Sequence, residues 1–158
     1  MRKLYGYSGR IISLVGYPLF ALYFRLIPSR RVRVLVIDNK EQTLLVKGWL
    51  GFQKWSLPGG GCKKGETDQD AAARELWEET GIRVKPDDIN PLKEAKDPDL
   101  GHTAPLLVVR IEHQRLEPLR GHAALEIIDR DWWSTADMPK RRSPLIDEAL
   151  SYLRSGVK

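Results

Sequence analysis

The chain has 158 residues, of which 42% are hydrophobic and 30% charged, with a single cysteine. That length and balance suit one globular domain with a buried core; the lone Cys62 excludes an internal disulfide framework or a cysteine-built zinc site and fits a reducing compartment. The net charge of +5 is unevenly placed, because residues 1–37 carry seven Lys/Arg and no Asp/Glu, whereas the other 121 carry 19 Lys/Arg and 21 Asp/Glu. A general nucleic-acid surface needs basic residues spread over the domain, so none is expected.

Two units are expected, a basic, apolar N-terminal helix over residues 1–29 and a folded domain over residues 30–158. Ile11 to Ile27 reads IISLVGYPLFALYFRLI and is flanked by Arg2, Lys3 and Arg10 before and Arg30, Arg31 and Arg33 after. Its 17 residues fall short of the roughly 20 that a spanning helix needs, and Gly16, Pro18 and Arg25 weaken that reading further. No small-x-small site follows, which argues against a signal peptide. Three readings stay open: a helix packed on the domain or on a second copy in a homodimer, a helix lying on an anionic membrane surface through residues 1–33, and a span.

Arg31 to Asp38 (RVRVLVID) reads as a strand, Asp38 to Glu41 as a turn, and Thr43 to Lys47 as the returning strand of a hairpin. A loop with Trp49, Phe52 and Trp55 leads into Trp55-Ser56-Leu57-Pro58-Gly59-Gly60. Thr67 to Thr80 reads as a helix, with Thr67 as N-cap, Asp68 and Asp70 in the first turn, and Gly81 as the left-handed stop. Ala71, Ala72, Leu76 and Trp77 are expected to face a sheet. Glu75, Glu78 and Glu79 are three and four residues apart and share one helical face. Like charges so placed destabilise a helix, and a hard divalent cation would remove that penalty.

Beyond the helix, Ile82 to Val84 is expected to start a strand. Pro86 to Thr103 reads as a strand and a mobile loop. Ala104 to His113 (APLLVVRIEH) has the continuous apolar run of a buried central strand. Gln114 to His122 reads as a loop, Ala123 to Trp133 as a segment ending in an aromatic pair, and Ser143 to Leu153 as a final amphipathic helix with Ser143 as N-cap and Pro144 at its first position.

Gly60, Glu66, Arg74-Glu75-Leu76, Glu78-Glu79 and Gly81-Ile82 stand at the spacing G-x5-E-x7-R-E-U-x-E-E-x-G-U, with U aliphatic. This stretch resembles the Nudix box, and every fixed position is met. It covers about a seventh of the chain, and the flanking pattern extends the resemblance to roughly residues 31–155. The resemblance implies an α/β fold, the α/β/α sandwich with a mixed sheet between helices. It also implies a hydrolase that cleaves a diphosphate linkage with metal-activated water, using Mg2+ with Mn2+ as a substitute.

Carried onto this chain, the resemblance implies Glu78, Glu79 and the Gly59 carbonyl as metal ligands, and Glu75 as a further ligand or the general base. Arg74 would pair with a box carboxylate, Glu66 would support the loop, and Gly60 and Gly81 would serve the backbone. Outside the box, Glu126 stands where many relatives place an extra metal-binding or basic Glu, with Asp129 as its competitor. Trp49, Phe52, Trp55 and Trp132 could stack a base or fill the core. Arg110, Lys47, Lys54, Lys63 and Lys64 are candidate phosphate contacts. His102, His113 and His122 show no ligand spacing.

The expected substrate is a nucleoside diphosphate joined to another moiety, such as a nucleoside triphosphate, nucleotide sugar or dinucleotide. Two alternatives stand beside it: a nucleotide-binding sensor without turnover, and a hydrolase of a lipid-linked diphosphate at a membrane surface. The expected location is cytoplasmic, with the N-terminus placing the chain peripherally at the inner membrane face if it binds lipid.

Overall fold

Alternation of apolar side chains along the central strands organises the molecule. The computed structural model describes residues 30–49, 53–96, 103–119 and 126–156. The N-terminal helix expected over residues 1–29, Phe52, and the middle of the loop expected before Thr103 lie outside the described residues.

β1 (Arg33–Asp38) turns into β2 (Thr43–Gly48), and the two meet antiparallel at Ile37 and Thr43. They then diverge. β2 pairs on one edge with the short β3 (Trp55–Ser56) and on the other with β6 (Ile127–Trp133), both antiparallel. β1 runs parallel to β5 (Thr103–Ile111) from Arg33–Leu106 to Asp38–Ile111, and β4 (Asn90–Lys96) runs antiparallel on the far side of β5. The sheet is therefore mixed, with the order β3-β2-β1-β5-β4 and β6 on β2. In the gap left by the diverging hairpin, the segment before the box pairs with β1, because Val34 N–H donates to Pro58 O and Val32 N–H to Gly60 O, each at 2.9 Å.

Helix α1 (Asp68–Thr80) covers one face and α2 (Pro144–Arg154) the other. Successive strand residues point to opposite faces. Val34, Val36, Leu107 and Val109 accordingly pack with Ala71, Ala72 and Leu76 of α1. Their neighbours Leu35, Ile37 and Leu106 pack with Leu145, Ile146, Ala149 and Leu150 of α2. Burial on both faces is why the central strands read as continuous apolar runs. A buried carboxylate locks the hairpin: Asp38 accepts from Lys40 N at 2.9 Å, Gln42 N at 2.7 Å and His113 Nδ1 at 2.6 Å. Burial alone would raise the Asp38 pKa, but the Gln42, His113 and Lys40 hydrogen bonds outweigh it and hold the pKa below its ordinary value.

Both helices begin and end near the expected positions. Thr67 Oγ1 accepts from Asp70 N at 3.1 Å, and Gly81 ends α1 at φ 79°, donating to Trp77 O at 2.8 Å. Two expectations need correction. Ile82 to Val84 forms no strand: it is irregular chain leading to a 3-10 turn at Pro86–Asp88, and its apolar side chains serve the α1-side core instead of a ladder. Trp77 does not face the sheet; it is 47% exposed, turned about 100° around α1 from the buried Leu76 that precedes it. Ser143 is the N-cap of α2 with Pro144 at its first position, as expected, although its side chain makes no capping bond and its backbone N–H donates to Trp55 O at 2.7 Å. Among the described residues no helix is long and apolar enough to cross a membrane.

Leu76 is fully buried between α1 and the sheet. Leu76→Ala is expected to lower unfolding free energy by about 2–5 kcal/mol, the range for a truncated core leucine, as read from urea denaturation midpoints.

Candidate active site

The site starts from the short loop between Pro58 and Thr67. Gly59 sits at φ 142°, and a Cβ there would lie 2.2 Å from Val32 O, so the loop can hug β1 only with glycine. At Gly60 a Cβ would lie 2.5 Å from the Glu75 carboxyl carbon. The glycine thus lets loop backbone press directly on a helix carboxylate.

Arg74 fastens this loop to α1. Its Nε and Nη2 donate to Glu66 Oε1 and Oε2 at 2.7 and 2.9 Å, a bidentate pair. Nη2 also reaches Gly61 O at 2.8 Å, while Nη1 donates to Glu75 at 2.8 Å and to Glu78 at 3.1 Å. Glu66 takes a further bond from Lys63 N at 2.7 Å. The Arg74 hydrogen bonds, then the Lys63 N–H, pull the Glu66 pKa from its ordinary 4.5 down to about 2. The hydrogen bond to Glu66, foremost, holds the Arg74 pKa above its ordinary value.

Glu79 lies deeper, half-buried, with one oxygen accepting from Gly59 N at 2.9 Å. Desolvation pushes its pKa up to about 7; Gly59 N–H and the Arg33 charge oppose this, and the Glu75 and Glu126 charges add to it. Glu75, Glu78, Glu79 and Glu126 all line one cavity of about 780 Å³, which also includes Trp77, Gly81, Glu117 and Arg130. Crowded acids, one of them with a raised pKa, are the electrostatic pattern of a site that takes up positive charge.

This donor set is all oxygen and fits a hard divalent cation. Among the described residues no three His, Cys, Asp or Glu side chains already close on a common point. Glu75 and Glu78 are turned onto Arg74, and the Gly59 carbonyl accepts from Arg33 Nη1 at 2.7 Å.

β6 separates the two acids that competed in the sequence. Trp132 packs in the α1-side cluster and Trp133 in the α2-side cluster. The two-residue period then puts Arg130 on the α1 side with Trp132, and Asp129 on the α2 side with Trp133. A register shift between Lys47 and Gly48 leaves Ile128 unpaired as a bulge near the start of β6, and the Glu126 carbonyl accepts from Trp49 N at 2.7 Å. Glu126 therefore lines the carboxylate cavity and Asp129 does not.

The remaining candidates scatter. Trp55 is 9% exposed, meets Trp133 edge-on with ring centroids 5.3 Å apart, and belongs to the α2-side core. Trp132 packs on the other side, with its indole N–H donating to Gln114 O at 3.0 Å. Arg110 is bridged to Glu41 at 3.0 Å and lines a separate open cavity next to β5. Lys63 stands 3.9 Å from Glu78 on the exposed rim. Sequence reasoning missed several cavity residues, among them Trp77, Glu117 and Arg130. Trp77 was assigned to the core because it lies beside Leu76, and Arg130 carried no signal beyond its position three residues before the Trp132-Trp133 pair ends.

A mixed sheet between two helices, with a glycine loop and an arginine-braced row of glutamates on one helix, defines the class of Nudix hydrolase enzymes. Residues 28–152 match the NUDIX domain family, and the chain belongs to it. It is 35% identical over 129 residues to the phosphatase NudJ of Shigella boydii, covering 78% of this chain and 82% of that protein. It is 39% identical over 84 residues to the RNA pyrophosphohydrolase of Bartonella quintana, covering 45% of this chain and 44% of that protein. In fold it resembles the NUDIX domain of Shewanella oneidensis NrtR complexed with ADP ribose, with TM-score 0.66 and 19% identity over 82% of this chain and 88% of that one. It likewise resembles a bifunctional NMN adenylyltransferase/ADP ribose pyrophosphatase from Francisella tularensis complexed with AMP and a Mn ion, with TM-score 0.65, 19% identity, and coverage of 90% and 48%.

Because Glu66 is held below its unfolded pKa, its stabilisation is fully present above pH 4.5 and is lost as pH falls towards about 2. Glu66→Gln is expected to cost about 1.5–3 kcal/mol at pH 7, the range for a hydrogen bond to a charged group. It should also flatten the dependence of stability on pH between those two values, as measured by urea midpoints across that range.

Proposed function

We propose that the chain hydrolyses the diphosphate linkage of a nucleoside diphosphate joined to another moiety, with Mg2+ as its cation and Mn2+ as a substitute. The observation that carries this reading is the convergence of Glu75, Glu78, Glu79 and Glu126 on one cavity large enough for a nucleotide. The nucleotides named with the Shewanella and Francisella structures, ADP ribose and AMP, support a nucleoside substrate.

Glu78, Glu79, Glu75 and the Gly59 carbonyl would hold the cation, with Glu126 across the cavity. Bound there, it supplies charge neutralisation on the phosphate oxygens and a water of lowered pKa. The chain's own residues do the rest. Arg74 keeps Glu75 and Glu78 in reach, and its tie to Gly61 O keeps the Gly59–Gly60 backbone against them. Glu75 or Glu126 would take the proton of the attacking water. Trp77, whose ring carries the Arg83 guanidinium 4.8 Å from its centroid, would present its other face to a base at the cavity rim. In this reading residues 30–158 form the hydrolase unit, and residues 1–29 are a separate N-terminal element.

The test is phosphate release from nucleoside triphosphates, dinucleotides and nucleotide sugars, the last two coupled to a phosphatase. Turnover with Mg2+ is expected to vanish with chelator and to fall at least about a hundredfold in Glu78→Gln, in the range for losing a key electrostatic group. Tight nucleotide binding without turnover on the whole panel would replace the hydrolase with a sensor.

A second comparison tests the face assignment on β6. Glu126→Gln is expected to lower kcat at least about tenfold, as metal-site partners typically do, whereas Asp129→Asn leaves kcat within about twofold. Equal losses in the two variants would overturn the assignment.

A further inference from the structure

We propose that Arg130 is the phosphate-binding residue of the carboxylate cavity, gripping the substrate's diphosphate opposite the glutamates. This deepens the hydrolase reading and rests on it. Among the described residues lining the cavity, Arg130 is the one Lys or Arg, facing Glu75, Glu78, Glu79, Glu117 and Glu126. A divalent cation offsets two of those negative charges, so a phosphate entering the cavity still meets net repulsion. A guanidinium fixed in the same cavity opposes that repulsion, and its planar fork matches two phosphate oxygens at once.

The local geometry leaves the fork available. Arg130 sits on β6 opposite Val46, on the α1 side of the sheet. Its Nη1 donates to the Thr80 carbonyl, next in sequence to Glu79, and among the described residues this is its one side-chain hydrogen bond. The guanidinium lies over Gly81, where an added Cβ would be 3.7 Å from Nη1. No carboxylate among the described residues forms an ion pair with it, although five line the cavity, and Glu117 acts on it only at longer range. Partial burial destabilises its charged form, which leaves a cation that gains from a buried anionic partner.

A purely structural role is the competing account: one bond to Thr80 O near the end of α1, where a positive charge also meets the helix dipole favourably. That role uses one of five donors, and a lysine could fill it. The two accounts therefore separate at Arg130→Lys.

The experiment is calorimetric titration of the full chain with inorganic pyrophosphate in Mg2+, and with Mg2+ alone, for wild type, Arg130→Gln and Arg130→Lys, beside their melting temperatures. Arg130→Gln is expected to weaken pyrophosphate binding by roughly tenfold to a hundredfold, as for a lost hydrogen bond to charge, with Mg2+ binding unchanged. Arg130→Lys is expected to keep the wild-type melting temperature yet weaken pyrophosphate binding several-fold, because it keeps the charge and loses the fork. The proposal is overturned if wild type does not bind pyrophosphate, if Arg130→Gln binds it like wild type, or if Mg2+ and pyrophosphate affinities fall together. Should Arg130→Gln fail to fold, Arg130→Lys decides alone, and wild-type affinity in that variant overturns the proposal. Turnover of the nucleotide panel by wild type judges the hydrolase reading separately, since the titration requires no chemistry.

Discussion

The Arg74 guanidinium is the joint on which this site depends. One planar group ties Glu66 and the Gly61 carbonyl of the loop to Glu75 and Glu78 of the helix. Without it, three carboxylates on one helical face would repel one another and spread into solvent. With it, Glu75 and Glu78 are held together, and the loop backbone is drawn to within contact of Glu75 at Gly60. The cost of desolvating Arg74 is offset by bidentate pairing, which a lysine could not reproduce. The same joint leaves Glu79 unbraced, held by the Gly59 N–H and pushed towards neutrality chiefly by burial.

The sheet serves this joint by being asymmetric. β1 and β2 separate after the hairpin, and the Pro58–Gly60 segment fills the gap, so the loop enters the site already paired to a buried strand. α1 is pressed on that strand by Ala71, Ala72 and Leu76, small and close-packing where the helix must lie near the sheet. On the far edge of β2, the β6 bulge brings Glu126 to the same cavity from a segment some fifty residues away. Rigid elements on two sides thus hold the acids, while α2 closes the opposite face and contributes only packing.

Much of this was legible in the residues. The helix, its cap at Thr67, its stop at Gly81 and the buried β5 run follow from local patterns of period 3.6 and 2, and the structure repeats them. The acidic row was legible for the same reason, because neighbours on a helix are set by spacing alone. Where the reading failed, the deciding contact was distant. Ile82 to Val84 has strand-like side chains but finds no ladder partner. Trp77 is apolar enough for the core, yet Leu76 already fills the inward position. Trp55, a candidate for stacking a base, is claimed by Trp133 and α2.

The sequence by itself determined the helix, the glycine loop and the set of carboxylates and arginine on them, because each depends on residues within one or two turns of one another. Tertiary structure decided which distant groups join that set. Glu126 and Asp129 are chemically equivalent in the sequence and three residues apart, and only the pairing of β6 with β2, through its bulge and its two-residue alternation, turns one towards the cavity and the other away. Arg130 enters the same cavity by the same alternation, for a strand's facing is fixed by the partner it pairs with and not by its own residues.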